Sequence, residues 1–198
     1  MNVMFISGIV TGGAMATAKT GSFYLNETIT LPAANPTANK ITGTIDLSAY
    51  INVPTGQAIA IDQVDFIFQN TSEFAAGPYS SMISADGAFT VQVTDLNPGN
   101  AFVRGDDQSL IASGGLNIDF SNNTGTMTTD IYPDNFGPSG LSDMFLVVND
   151  QLYVTAGNDN VVTGGNAVYV TARIRCRVVK LSTKDWMAIA IQSTAADN

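Results

Sequence analysis

The chain has 198 residues, with eight lysines and arginines against seventeen aspartates and glutamates, no histidine, and a net charge of −9. That balance disfavours bulk attraction to nucleic acid or anionic lipid. The missing imidazole excludes Ser-His-Asp and Cys-His catalysis, His-ligated zinc and metal-binding cupin chemistry.

A chain of this size can bury about 70 % of its unfolded surface as one domain, and its single cysteine, Cys176, excludes an intrachain disulfide. Aspartate far outnumbers glutamate, and Asn, Thr, Gly and Ser are abundant. Short polar side chains favour turns over helix interiors, so the composition is that of an all-β protein.

The opening MNVMFISGIVTGGAMATAKT is apolar and contains Ala14-Met15-Ala16, a small-residue pattern that mimics a cleavage site. No positive region precedes it and three glycines interrupt it, so residues 1–19 are expected to form an arm or extra strand ahead of a sandwich over 20–198. With no turn leading those apolar residues back into a core, the arm is expected to pack on another subunit. No stretch approaches the roughly 18 apolar residues needed to span a bilayer.

Gly21 to Leu31 is the first regular strand, with Phe23, Leu25, Ile29 and Leu31 sharing a parity with Glu27. After a Pro/Ala/Asn loop, Ile41 to Leu47 points Ile41, Gly43, Ile45 and Leu47 inward, and Pro54 to Gly56 makes a turn. From Gln57 to Gln69 the apolar parity switches, odd at Ile59 and Ile61 but even at Val64, Phe66 and Phe68. One extra residue restores the core face, which predicts a bulge near Asp62-Gln63. Asn70 to Ser84 is a loop, and Ala88 to Thr94 alternates as a strand behind Asp86-Gly87.

Asp106-Asp107 followed by QSLIASGG offers an N-cap, a short apolar run and a glycine stop, and predicts a helix of about two turns. Leu116 to Phe120 and Met127 to Tyr132 flank Asn122-Asn123-Thr124-Gly125 as a hairpin, and Pro133 to Gly140 is an external loop. Met144 to Val148 and Gln151 to Ala156 are strands, with a turn at Gly157 to Asn160.

In the stretch from Asn166, Val168, Val170, Ala172, Ile174, Cys176 and Val178 alternate with Tyr169, Thr171, Arg173, Arg175 and Arg177. This is a half-buried strand of thirteen residues, about 40 Å at roughly 3.3 Å per residue. Cys176, on its apolar parity, is a small core residue and not a nucleophile. Trp186 to Ile191 is apolar on both parities and predicts a central strand paired with the long one in a hairpin. No repeat of fixed period is present, which argues against propellers and solenoids. The sum is an antiparallel two-sheet β-sandwich of eight to eleven strands, best accommodated by a single jelly roll with an N-terminal arm.

Chemistry-bearing patterns are few. Glu27 and Glu73 are the only glutamates. The Asp106-Asp107 pair would serve a glycosidase only if the fold set carboxyls about 5 to 9 Å apart around a groove. Asn158-Asp159-Asn160 and Asp130 to Asn135 offer oxygen ligands for calcium without EF-hand spacing, and are better explained as turns. Three N-x-S/T matches, at Asn26, Asn70 and Asn122, are expected by chance in so Asn- and Thr-rich a chain.

Five of the eight basic residues, Arg173, Arg175, Arg177, Lys180 and Lys184, fall within twelve positions. They are either a solvated strand face with cross-strand aspartate partners or a surface that meets an acidic neighbouring subunit or a polyanion. The overall charge favours the subunit over the polyanion.

GSFYLNETITL, the bulged GQAIAIDQVDFIFQ, FLVVNDQLYV and the closing NAVYVTARIRCRVVK and DWMAIAIQ together resemble jelly-roll coat proteins of icosahedral viruses, over nearly the whole chain. The resemblance implies a shell subunit of a virion that contacts copies of itself and other virion proteins, with no catalytic residue, cofactor or small-molecule substrate. An arginine-rich N-terminal arm, common in small RNA-virus coats, is absent here. That departure implies indirect contact with nucleic acid, and fits a shell around an internal membrane or one with separate genome-binding proteins. Two other readings of the same fold stand beside it: a carbohydrate-binding module of a phage fibre or secreted enzyme, and a lectin-like glycosidase.

Overall fold

The computed structural model describes residues 17–70, 73–75, 77–129 and 145–195. The expectations for residues 1–16, for the loop at 133–140 and for a calcium site at 130–135 lie outside them. Among the described residues, ten strands and one α-helix follow in order: β1 (Thr17–Ala18), β2 (Phe23–Leu31), β3 (Ile41–Asp46), β4 (Gln57–Asn70), β5 (Gly87–Thr94), β6 (Leu110–Asp119), β7 (Thr124–Thr129), β8 (Phe145–Val147), β9 (Gln151–Asp159), β10 (Val168–Lys180) and α1 (Thr183–Ala195).

The strands form two antiparallel sheets. In the first, β10 pairs with β2 over most of its length and with β1 at its end, and also with β4, with β8 beyond β4. The second runs β3-β9-β5-β6-β7. Successive strands pass from sheet to sheet at β2-β3, β3-β4, β4-β5, β8-β9 and β9-β10, while β5-β6 stays within one sheet. Two four-stranded sheets, β2-β10-β4-β8 and β3-β9-β5-β6, wound this way are a jelly roll. The short β1 and β7 are additions at the edges.

Period-2 patterning builds the core between the sheets. Ile29, Leu31, Ile61, Phe66, Val170 and Ile174 from the first sheet meet Phe89, Val91, Leu116, Ile118, Leu152 and Val154 from the second. Residues of β10 alternate in burial along the whole strand as far as Val178. The predicted bulge is present, since Arg175 faces Gln63 while Cys176 faces Ile61, leaving Asp62 as the extra residue. Ile59 and Ile61 before it and Val64, Phe66 and Phe68 after it are therefore all buried on one face.

Three expectations are corrected. The predicted helix after Asp106-Asp107 is β6, paired with β5 and β7. Asp107 caps a turn instead, its Oδ1 accepting from the backbone N and the hydroxyl of Ser109 at 2.8 and 2.7 Å. The glycines that resembled a helix stop sit within β6, and Gly114 lies where a Cβ would come within 2.6 Å of the Phe66 ring. The predicted turn at Gly157 to Asn160 begins later, because β9 runs on to Asp159 before Asn160 turns the chain with a φ of 72°.

The third correction is the predicted strand at Trp186 to Ile191, which is helix α1, while β10 takes β2 and β4 as its neighbours. Ser182 starts the helix, accepting from the Asp185 backbone N at 3.2 Å and donating to the Asp185 carboxylate at 2.7 Å. This is a capping arrangement with the acid in the first turn. Trp186, Ile189 and Ala190 are spaced as one helical face. That face covers a second apolar cluster of Ala58, Ala60, Val148, Val179 and Leu181 on the outside of the first sheet.

Candidate functional site

The outer face of the first sheet is where the predicted basic residues lie. Strand alternation sends Tyr169, Thr171, Arg173, Arg175 and Arg177 of β10 outward, opposite to the core residues. Past Arg177 the outward position goes to Val179, which is buried under α1. Lys180 therefore falls on the other parity at the strand end, and Lys184 stands exposed on the first turn of α1. Of the five candidates, the fold brings only the three arginines onto one face.

Those three differ in environment. Arg177 is tied internally, its Nη2 donating to Asp62 Oδ1 at 2.8 Å, with only 24 % and 8 % of the two side chains exposed. The bulge puts Asp62 there, and the Ser22 hydroxyl also donates to its carboxylate at 3.4 Å. Arg177 thus follows the reading of a strand face with an aspartate partner, and is a structural ion pair with little charge left to offer a partner.

Arg173 is exposed and sits with its guanidinium 4.9 Å from the centre of the Tyr24 ring. Such a cation–π contact contributes about 0.5–1 kcal/mol at an exposed site and leaves the donor edges outward. Its cross-strand aspartate, Asp65, is engaged by Gln63, whose Nε2 donates to Asp65 Oδ1 at 2.7 Å. Arg175 lies between Tyr24 on β2 and Gln63 on β4. Among the described residues, neither Arg173 nor Arg175 has a carboxylate within ion-pair distance.

Aromatic side chains flank the arginines on this face. Tyr24 is 48 % exposed, and at the far end Phe74, 60 % exposed, packs on Tyr169 with ring centres 5.4 Å apart. Phe74 is held in the left-handed region, φ 55°, where the Gln69 side chain donates to its carbonyl at 2.5 Å. Between the two aromatic stations the hydroxyls of Thr28 and Thr171 meet at 2.9 Å. From Tyr169 to Arg175 the face extends about 20 Å along the strand. It is polar and locally positive in an acidic chain. The arginines were legible from the sequence; Tyr24 and Phe74 were not singled out, and only the outward parity of Tyr24 on β2 signalled it.

The other candidates resolve into structure. Asn158, in one proposed calcium turn, is fully buried, with its side chain accepting from Asn35 Nδ2 at 2.7 Å and donating to the carbonyls of Asn35 and Val161. Thr163 completes this network through the Asn35 backbone N and the Pro32 carbonyl, so the polar residues tie the loops together. Among the described residues, no group of three or more Cys, Asp or Glu side chains is placed to hold a metal. Asp106 is ion-paired with Arg104 on the surface, with both side chains well exposed. A shallow pocket of about 170 Å³ opens between Asp95, Asn97, Asp150 and Tyr153, and Asn149 Nδ2 bridges to Asp95 there.

Cys176 is fully buried among core residues, and desolvation together with the nearby Asp62 charge pushes its thiol up to about 12. It lies on the core face, as its parity implies.

No protein-family model matches the chain, and no curated protein matches it. Among solved structures, it is similar to VP1 of the Trichodysplasia spinulosa-associated polyomavirus in complex with 3'-sialyllactose, at 10 % identity and a TM-score of 0.42, covering 83 % of this chain and 98 % of that one. It is similar to VP1 of Merkel cell polyomavirus in complex with GD1a oligosaccharide at 10 % identity and a TM-score of 0.36, covering 83 % and 98 %. A structure of Desmodium yellow mottle tymovirus is matched at 7 % identity and a TM-score of 0.31, covering 84 % and 92 %.

Proposed function

We propose that this chain is a non-enzymatic shell subunit of a virus particle, and that copies of it associate through the outer face of the first sheet. The observation that carries the reading is the pair Arg173 and Arg175, on the outer face of the first sheet with no carboxylate in ion-pair distance among the described residues, in a chain whose net charge is −9. Two cations concentrated on one face of an acidic molecule fit an acidic partner, and the commonest such partner for a self-assembling chain is its own copy. A basic face on one copy meeting an acidic surface on the next is a head-to-tail contact, which closes into rings or shells when the rotation permits. The eight-stranded jelly roll is a fold used by capsid proteins, and its long strands and large loops suit repeated contacts of this kind.

Negative-stain microscopy of the purified chain beside the R173Q/R175Q variant tests the reading. Closed particles from the wild type and their loss in the variant are expected, with both proteins showing the same β spectrum. Arg177 stays in place in this test, since removing it breaks the Asp62 pair and would confuse folding with assembly.

A second reading draws on Tyr24 and Phe74, exposed rings of the sort that stack against sugar faces, with Phe74 packed on half-buried Tyr169. On that reading the chain is a carbohydrate-binding module. A monomer that binds an immobilised glycan, and loses binding with Y24A and F74A, would favour it over the shell.

A further inference from the structure

An edge strand presents a row of backbone N–H and C=O groups that pair with another chain unless something prevents it. Among the described residues, the edge strands are β2 and β8 in the first sheet and β3 and β7 in the second. Three of them carry a device against pairing. On β2, Glu27 points to the core side, its carboxyl filling the space that a side chain at Gly43 of β3 would take. Strand β3 bears the exposed Asp46, and β8 has only three residues. Inward charge, edge charge and shortness are common ways of blunting an edge.

Strand β7 has none of them. Its six residues, TGTMTT, include no charge and no proline. Among the described residues it pairs only with β6. Thr124, Thr126 and Thr128 stand exposed on the outer face of the second sheet. On the other face Met127 is 52 % exposed, although Leu116, its neighbour across β6, is buried in the core. The strand therefore reaches past the edge of the core.

Such an edge is complementary to a second copy of itself. Within its own sheets the chain already sets threonine against threonine across strands, with hydroxyls 2.9 Å apart at Thr28 and Thr171 and 2.8 Å apart at Thr42 and Thr155. Antiparallel pairing about a two-fold axis keeps the two faces continuous only in registers centred on a residue. Centred on Thr126, Thr124 of one copy lies opposite Thr128 of the other and Thr126 opposite itself. Centred on Met127, Thr126 lies opposite Thr128. Either register brings Met127 beside Met127 or Gly125 of the other copy, and neither brings charges of the strand together in a chain of net charge −9.

We propose that two copies of this chain pair β7 with β7, joining two five-stranded sheets into one continuous sheet. This two-fold contact is separate from the arginine face and does not rest on the shell reading.

Sedimentation in the R173Q/R175Q background tests it apart from that face. A monomer–dimer equilibrium is expected. T126K/T128K, which sets lysine against lysine in both registers, should weaken the dimer about tenfold with the β spectrum unchanged. T126E/T128E should do the same, and an equimolar mixture of the two variants should dimerise again, because lysine then faces glutamate. Mixing would not repair a folding lesion. A monomer at every concentration would overturn the proposal, as an edge covered within its own chain would give. So would a dimer indifferent to the lysines, or variants that stay monomeric when mixed. Larger particles in this background would count against the arginine face, and their indifference to T126K/T128K would overturn the β7 pairing as well.

Discussion

Asp62 is the extra residue of the β4 bulge and, because it sits there, the carboxylate that holds Arg177. Its side chain is 8 % exposed, so removing either partner strands a charge in a poorly solvated place. Full burial would make such a loss about 3–5 kcal/mol; the partial exposure of Arg177 lowers the expectation to about 2–3 kcal/mol for Asp62→Asn. Urea denaturation should show that loss, and should show part of it recovered in D62N/R177Q. Cys176 gives a second expectation. Its thiol is raised from the ordinary range to about 12, so the folded state holds the proton more tightly than the unfolded one. Its contribution to stability is complete below the unfolded thiol value near 9 and is lost as pH rises from there towards 12. Cys176→Val should flatten that part of the stability profile, and the native wild-type thiol should resist labelling at pH 8.

At the scale of elements, the helix that closes the chain depends on its first turn. Ser182→Ala removes the hydroxyl that caps Asp185 N and should cost about 1 kcal/mol, read as a lower melting temperature and a red-shifted Trp186 emission. The strands with clean alternation were legible because period 2 is a local property: β2, and β10 as far as Val178, follow it residue by residue. Even the β4 bulge was readable, since a parity switch within one strand demands an extra residue. The helix was missed although Ser182-Thr183-Lys184-Asp185 carries a capping pattern. Trp186 to Ile191 is apolar at every parity, and the patch that fixes it as a helix is assembled from Ala58 on β4, Val179 on β10 and Val148 just past β8. The same blindness to distant partners explains β6, where Gly114 ends no helix but lies under Phe66, 48 positions earlier in the chain. The basic stripe was visible as a cluster. That Arg177 belongs to Asp62, 115 positions away, was not.

For the whole molecule, the division of surfaces is what the fold accomplishes. One end of the outer face of the first sheet is closed by α1, and the open remainder presents Arg173, Arg175 and the exposed rings of Tyr24 and Phe74. Such a face is salt-sensitive as an interface, because exposed charge pairs weaken once the screening length falls to a few ångströms. Assembly should therefore weaken between low and molar salt, while Gln at Arg173 and Arg175 shifts stability by about half a kcal/mol or less each. The most direct measurement is analytical sedimentation of the wild type and of R173Q/R175Q across concentration and salt. Large closed particles from the wild type at low salt, with the variant sedimenting as a folded small species, are expected. A wild type that remains a monomer at every concentration and salt, or a variant that assembles as the wild type does, would contradict the account.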